Sequence, residues 1–134
     1  MSDATRTDGV RVLDEESMWR LLGTQEVGRL VTRIGERIDV FPVGYALDGL
    51  SILFRTAPGT KLLELTAHDE VLFEVDDHSA RDAWSVVVRG TAAAVDRSDE
   101  IAALEALASA PWAPTVKDVL VRITPSVTTG RAFE

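Results

Sequence analysis

The chain of 134 residues contains no cysteine and only two histidines. Without cysteine it can form no disulfide, no thiolate metal site and no cysteine nucleophile. No apolar stretch approaches the roughly 20 residues that a membrane-spanning helix needs. Residues 1–9 are polar and lack the apolar segment of a signal peptide. We therefore expect a cytoplasmic protein that does not associate with membranes.

Positive charge is also scarce, since 14 Lys and Arg face 22 Asp and Glu and give a formal net charge of -8. A general electrostatic affinity for nucleic acid is therefore not expected. The composition, 46% hydrophobic and 27% charged, is that of an ordinary globular protein. We predict a disordered lead at residues 1–9 and a single domain over residues 10–134, because no repeat or linker divides the chain.

Side chains for acid–base catalysis are few. His68 follows a predicted helix, where a cation favours the helix dipole. His78 lies in an acidic loop, which is either simply solvated or a conceivable metal site; we expect no metal. Neither histidine belongs to a recognisable Ser-His-Asp arrangement, and no carboxylate pair lies inside an apolar run. Any chemistry is therefore expected to come from a cofactor.

The pattern of apolar residues predicts a mainly β (α+β) fold. A helix at residues 13–23 begins with Asp14 as its N-cap and ends at Gly23. Further short helices are predicted at residues 61–67 and 98–108. Strands are predicted at residues 28–34, 38–45, 50–55, 70–75, 83–95 and 119–125, with a further one at 126–133. Short connections favour antiparallel pairing, and about six or seven such strands usually close into a small barrel.

The most informative segment is Phe54–Leu62, with the sequence FRTAPGTKL between a predicted strand and a predicted helix. The cations Arg55 and Lys61 and the hydroxyls of Thr56 and Thr60 surround a turn that leads into a helix N-terminus. This arrangement suits a single phosphate, which would also meet backbone N–H groups. The alternative is a solvated surface connection with no ligand.

Interruptions of the strand pattern suggest other functional positions. Pro42 inside the second strand indicates an edge, a bulge or a break in pairing, and Gly44 allows another group to approach the backbone. Arg89 shares one strand face with Ser85 and Val87, so it needs either a ligand or a carboxylate partner. The partner suggested by the sequence is Glu74 on the neighbouring strand. Arg122 raises the same question.

Trp112 lies between two prolines in the segment Pro111–Pro114. A rigid aromatic surface of this kind suits a planar ring. The alternative is a hydrophobic plug on the end of the barrel.

From Glu15 to Arg131 the chain resembles the flavin-binding split β-barrels of the pyridoxamine 5'-phosphate oxidase-like superfamily. The resemblance is carried by Phe54–Leu62 and by the blocks VLFEVD at residues 71–76 and WSVVVRG at residues 84–90. Gly28-Arg29-Leu30 and Pro111–Pro114 resemble its small single-domain bacterial branch. The resemblance implies an antiparallel split β-barrel that forms a homodimer with FMN between the subunits.

The resemblance also implies roles for individual residues. Arg55, Thr56, Thr60 and Lys61 would hold the FMN phosphate. The strand Phe41-Pro42-Val43-Gly44 would lie along the isoalloxazine ring and contact it through the backbone. Ser85 is at a position where the family often has a polar residue reaching the flavin, and Trp112 would cover the ring from one subunit or the other.

Two departures from the family pattern bear on activity. The vitamin-oxidising members have two adjacent basic residues after the turn, whereas here Lys61 is followed by Leu62. They also have a longer C-terminal segment for substrate. We therefore expect an FMN-dependent oxidoreductase or flavin reductase with an unknown small-molecule substrate, and no oxidation of pyridoxamine 5'-phosphate. The alternatives are a deazaflavin-dependent reductase, a non-catalytic flavin-binding or sensing module, and a barrel that binds haem or has no ligand.

Overall fold

The computed structural model describes residues 6–7, 9–56, 70–78, 83–95 and 119–133. Within these residues it contains one helix, α1 (Glu15–Leu22), and eight strands, of which seven have three residues or more. The strands are β1 (Arg6–Thr7), β2 (Val10–Val12), β3 (Val27–Ile34), β4 (Arg37–Leu47), β5 (Ile52–Thr56), β6 (Glu70–Asp77), β7 (Ala83–Ala94) and β8 (Val119–Phe133). The predicted helices at residues 61–67 and 98–108 lie outside the described residues.

Helix α1 begins and ends where the sequence predicts. The Asp14 carboxylate accepts a hydrogen bond from the Ser17 N–H at 2.8 Å, which satisfies one of the unpaired donors of the first turn. At the other end the Gly23 N–H donates to the carbonyl of Arg20 at 3.2 Å. Met18, Trp19 and Leu22 are buried and attach the helix to the barrel.

The strands form a closed antiparallel ring in the order β8-β5-β4-β3-β6-β7, with β7 pairing back onto β8. The short strand β2 extends the sheet by pairing with Arg131–Phe133 at the end of β8. The predicted antiparallel barrel is therefore confirmed. Closure removes most exposed strand edges.

Two of the strand ladders in the ring are short, the one between β4 and β5 and the one between β3 and β6. They lie on either side of the hairpin formed by β3 and β4. These two strands pair along Val27–Ile34 and Arg37–Gly44. In contrast, β4 pairs with β5 only at Tyr45–Leu47, and β3 pairs with β6 only at Arg29–Val31. The hairpin therefore extends beyond its neighbours on both sides. We call the gap beside Arg37–Gly44 the β4 edge and the gap beyond Val31 the β3–β6 cleft.

The core fills the ring with large apolar side chains. Phe54 and Phe73 are fully buried, and the ring of Tyr45 meets that of Phe73 edge to face at 5.1 Å. The Tyr45 hydroxyl donates to the Leu22 carbonyl and so connects the C-terminus of α1 to the barrel. This buried position raises the pKa of Tyr45 above its usual range.

The end of the chain differs from the sequence prediction. Residues 119–125 and 126–133 form one strand, β8, rather than two. Pro125 is accommodated because the register of β7 and β8 shifts between Arg89 and Gly90, where a bulge tolerates a residue without an N–H.

The start of the chain also shows structure where the sequence predicts a disordered lead. Arg6 and Thr7 pair with Arg11 and Val10 across a turn in which Gly9 has a φ of 77°. That left-handed backbone is one that glycine adopts without steric cost. Among the described residues, no helix is long and apolar enough to cross a membrane.

Candidate functional site

The β4 edge is a stretch of strand whose outward backbone groups have no neighbouring strand among the residues that the structure describes. The Tyr45 N–H donates to the Glu26 carbonyl at 3.0 Å, and Asp48 and Ser51 exchange hydrogen bonds at 3.0 and 3.1 Å on the other side. Backbone groups alternate between the two sides of an antiparallel strand. Odd-numbered residues of β4 therefore bond to β3, and the backbone groups of Pro42 and Gly44 face away from β3, into the gap.

The sequence predicts that Pro42 interrupts strand pairing, and the structure confirms an edge position. Pro42 is opposite Arg29 on β3, and the ladder with β5 ends at Tyr45. Because proline has no N–H, the edge loses a donor at this point and keeps its carbonyl. Gly44 has no side chain to cover the backbone beside it.

Phe41 and Val43 have a different role from Pro42 and Gly44. Val43 is buried in the core and Phe41 packs against it. Their backbone groups belong to the ladder with β3, by the same alternation. Of the four residues of β4 predicted to line a ligand, Pro42 and Gly44 are therefore the two whose backbone faces the gap.

Arg55 and Thr56 lie at the end of β5, next to this gap. They are opposite Leu120 and Val119 of β8. Continuing the β4–β5 register by one residue would place Arg55 opposite Gly44, and opposite residues of a strand pair share a face. Arg55 is exposed on that face, whereas Thr56 is turned inward and is 5% exposed. The structure thus brings Arg55 to the β4 edge.

The other predicted site residues divide into two groups. Thr60, Lys61 and Trp112 lie outside the described residues. Ser85 is described and is half-buried on β7, where it is opposite Asp76 and Arg131. Three strand spacings separate β7 from β4 through β6 and β3, which is about 14 Å. Arg55 and Ser85 also pair with opposite ends of β8. Ser85 therefore does not join the β4 edge within one copy of the chain.

A charged cluster on β3 and β6 was not predicted. Arg29 Nη1 lies 3.2 Å from Glu74 Oε1 and 3.6 Å from Asp76 Oδ1. Burial first, and then the hydrogen bond and negative charge of Asp76, raise the pKa of Glu74 to about 7, against the smaller lowering effect of Arg29. The alternation of Glu74 and Asp76 along β6 is the sequence signal that could have suggested two carboxylates on one face.

The predicted pairing of Arg89 with Glu74 is wrong. In the register of β6 and β7, Glu74 is opposite Val87 and Arg89 is opposite Leu72. Arg89 instead lies 3.8 Å from Glu70, in an exposed pair. The second intrastrand arginine, Arg122, does have a carboxylate partner, with its Nη1 2.9 Å from Asp48 Oδ2.

The structure gives no support for a metal centre in the residues it describes. His78 is exposed at the end of β6. Among the described residues, no group of three His, Asp or Glu side chains is placed to hold a metal ion. His68 lies outside that part of the chain.

Solved structures of other proteins have a fold similar to that of this chain. A FAD-binding protein from Mycobacterium smegmatis is 36% identical, with a TM-score of 0.80 over 92% of this chain and 99% of that chain. A FAD-binding protein from Mesorhizobium loti is 25% identical, with a TM-score of 0.80 over 93% and 99% of the two chains.

A further relative, an uncharacterized protein from Mycobacterium tuberculosis, is 38% identical over 87 residues, which cover 65% of this chain and 79% of that protein. The sequence profile of the pyridoxamine 5'-phosphate oxidase family matches residues 14–132, nearly the whole barrel. The chain therefore belongs to the pyridoxamine 5'-phosphate oxidase family.

Proposed function

We propose that this chain binds a flavin nucleotide at the β4 edge and uses it as an oxidoreductase or flavin reductase. The observation that carries the proposal is that the Pro42 backbone and the Gly44 N–H face away from β3 and have no strand beside them among the described residues, close to Arg55 at the end of β5. The cofactor is FMN, or FAD held through its FMN half. Two similar proteins, at 36% and 25% identity, are described as FAD-binding, which supports a flavin in this barrel.

The chemistry of the β4 edge fits a flavin ring. The pyrimidine side of an isoalloxazine presents carbonyls and an N–H in one plane, as a neighbouring strand would. Val40 offers a donor and an acceptor on this side of β4, Pro42 offers only an acceptor, and Gly44 offers its N–H. Since Gly44 has no side chain, a flat ring can approach the strand closely.

The phosphate of the nucleotide is assigned to the end of β5. Arg55 supplies a permanently charged, forked donor on the same face as Gly44. Thr56, Thr60 and Lys61 complete the proposed phosphate site by their sequence positions, the last two outside the described residues. A phosphate held by these side chains would fix the ring against the β4 edge.

A homodimer is part of the proposal, because Ser85 can reach this site only from a second copy. The outer face of the β3–β4 hairpin carries exposed apolar side chains that a second copy would cover: Val27 is 54% exposed, Ile38 is 63% exposed and Val40 is 60% exposed. Ile38 and Val40 are neighbours on this face and Val27 lies further along it, and exposed apolar side chains of this kind are typical of an interaction site. Trp112 is proposed to cover the ring from one of the two subunits.

In the proposed function, the flavin and the residues of the chain have separate roles. A bound flavin would supply hydride transfer, which no side chain of this chain can perform. The residues of the chain would bind the phosphate, orient the ring along β4 and exclude water through the second subunit. The missing basic residue after Lys61 supports a substrate other than pyridoxamine 5'-phosphate.

The first experiment is the absorption spectrum of the purified protein and the mass of the cofactor released by heat or acid. The expected result is a flavin spectrum with FMN or FAD close to one per chain. A deazaflavin mass would redirect the proposal to a deazaflavin reductase. Failure of the protein to bind FMN and FAD after reconstitution would contradict the proposal.

Turnover is tested separately under anaerobic conditions. Bleaching of the flavin absorbance by NADH or NADPH, followed by reoxidation with an acceptor, would support an oxidoreductase. Tight flavin binding without reduction by either donor would favour a flavin-storing or sensing module instead.

A further inference from the structure

The β3–β6 cleft arises where the ladder between these strands stops early. β3 pairs with β6 only from Arg29 to Val31, opposite Leu72–Glu74. The same register would place Thr32 opposite Val71 and then Arg33 opposite Glu70, but no pairing is formed there. Odd-numbered residues of β3 direct their backbone groups towards β6, by the alternation established at Tyr45. The N–H and carbonyl of Arg33 therefore face an open cleft rather than a strand.

A cavity of about 220 Å³ occupies the cleft. Val31, Val71 and Leu72 form apolar walls, and Val71 is only 3% exposed. This volume lies below the roughly 300–1,000 Å³ of sites for drug-sized ligands, so it suits a fragment such as a single substituted ring. The walls favour an apolar body for whatever binds there.

Thr32 lines this cavity and carries an unsatisfied polar group. The side chain is 3% exposed, and its Oγ1 has no hydrogen-bond partner among the residues that the structure describes. Buried hydroxyl groups nearly always have a partner, and one without a partner is costly. A polar atom of a ligand in the cleft would satisfy it.

Two guanidinium groups give the cleft its charge preference. Arg33 and Arg89 both line it, whereas Glu70 is the one carboxylate among the described residues that line it. Arg33 is held at the turn by donating from Nε to the Gly35 carbonyl at 2.8 Å. Arg89 Nη1 is 3.8 Å from Glu70 Oε1, and both side chains are more than half exposed, so this pair is weak and easily exchanged.

We propose that the β3–β6 cleft binds a small organic carboxylate. The carboxylate lies between Arg33 and Arg89, the apolar body lies against Val71 and Leu72, and a polar substituent reaches Thr32. The site lies on the opposite side of the β3–β4 hairpin from the β4 edge. It uses none of the residues assigned to the flavin, so either proposal can fail while the other stands; Ile38, which also lines the cleft, lies on the hairpin face assigned to the dimer.

The test is a titration of the full chain with benzoate, followed by two-dimensional ¹H–¹⁵N NMR, with benzamide as the uncharged probe of equal shape. Benzoate should shift the amides of residues 31–33 and 70–72 in a saturable way, and benzamide should bind at least about tenfold more weakly. Arg33→Gln and Arg89→Gln should each weaken benzoate binding by about tenfold or more.

Arg37→Gln is the matched control, since Arg37 is an exposed arginine on the adjacent strand that pairs with Asp39 at 3.0 Å and does not line the cavity. It should leave benzoate affinity unchanged. All three arginines are exposed, and an unchanged dispersion of the spectrum verifies that each variant folds.

Several results would overturn the proposal. These are the absence of saturable shifts, equal binding of benzamide, benzoate binding that survives both glutamine variants, and shifts centred on the amides of Val43 and Gly44 instead. Broadening of the cleft amides with protein concentration, without displacement by benzoate, would show that a second copy fills the cleft.

Discussion

Arg29 and Glu74 lie directly opposite each other on β3 and β6, with Arg29 Nη1 3.2 Å from Glu74 Oε1. An arginine so close normally lowers the pKa of a carboxyl group. Here the pKa of Glu74 is instead raised to about 7 by burial first, and then by the hydrogen bond and charge of Asp76. Two carboxylates share one guanidinium, and near neutral pH the pair retains a proton for part of the time.

This arrangement predicts that Glu74 makes the fold less stable as the pH rises. The folded-state pKa of about 7 exceeds the ordinary value of 4.5, so the folded state binds more protons between these two values. Its contribution to stability is therefore complete below about pH 4.5 and is lost as the pH rises through 7. Between pH 5 and 8 the loss should be about 1–2 kcal/mol, less than the full shift implies because solvent screens a partly exposed group.

The measurement is the free energy of unfolding of the wild type and of Glu74→Gln, by denaturant titration at several pH values. Glu74→Gln should reduce this decline, so that its stability relative to the wild type increases from pH 5 to 8. Glu36→Gln, at an exposed turn, is the control and should leave the profile unchanged. Parallel profiles for Glu74→Gln and the wild type would contradict the predicted proton uptake.

Local sequence signals predicted where the helix and strands lie better than they predicted which residues pair between strands. The N-cap Asp14 and the terminal Gly23 define α1 within a few residues. These features act between neighbours in sequence, so the sequence alone reveals them. The edge position of Pro42 was predictable for the same reason, because a missing N–H excludes the centre of a sheet.

Long-range register could not be predicted in this way. Arg89 and Glu74 lie on adjacent strands and on the same face, yet they are offset by two residues along the strands. Glu74 therefore forms its ion pair with Arg29, and Arg89 forms its ion pair with Glu70. The continuity of β8 through Pro125 likewise depends on a bulge shared with β7, more than thirty residues earlier in the chain. The short β4–β5 and β3–β6 ladders on either side of the β3–β4 hairpin also result from closure of the ring, and no local sequence pattern indicates them.

The phosphate assignment predicts a specific loss of flavin affinity. Arg55→Ala combined with Lys61→Ala should weaken FMN binding by a few kcal/mol, because each charge-assisted hydrogen bond is worth about 1.5–3 kcal/mol. Isothermal titration of the apoprotein with FMN and with FAD measures the loss. Arg11→Ala removes an exposed arginine from β2 and should have no effect. Full affinity in the double variant would place the phosphate elsewhere.

The proposed homodimer predicts that a charge on the outer face of the β3–β4 hairpin separates the subunits. Val40 is 60% exposed, so Val40→Lys should not disturb the core, but it would place an ammonium group in a buried interface. Light scattering should then show a monomer, and flavin affinity should fall because Ser85 of a second copy is lost.

Leu50→Lys is the matched control for the dimer, since Leu50 is 63% exposed in the turn after β4, at the opposite end of that strand from the hairpin tip. It should remain a dimer. A wild-type monomer at concentrations where flavin is fully bound would exclude the shared site.

Packing around Gly28 predicts a large effect from one methyl group. A Cβ at Gly28 would overlap the ring of Phe73, which is 0% exposed, and would lie 3.0 Å from Val75 Cγ2. The Phe73 ring is also fixed by its edge contact with Tyr45, so it cannot move without disturbing a second aromatic side chain. Gly28→Ala should therefore cost about 1–3 kcal/mol of unfolding free energy, as overpacked cores do.

The matched control is Gly23→Ala, at the end of α1. There a Cβ would meet atoms no nearer than 3.4 Å, and the backbone φ of -74° is one that alanine adopts freely. That variant should be neutral or slightly more stable, because alanine loses less conformational entropy on folding than glycine. Chemical denaturation of both variants at one pH measures how much each added methyl group changes the free energy of unfolding. Equal stabilities would mean that the Phe73 ring has room to move, and that the core beside the β4 edge is less tightly packed than its burial indicates.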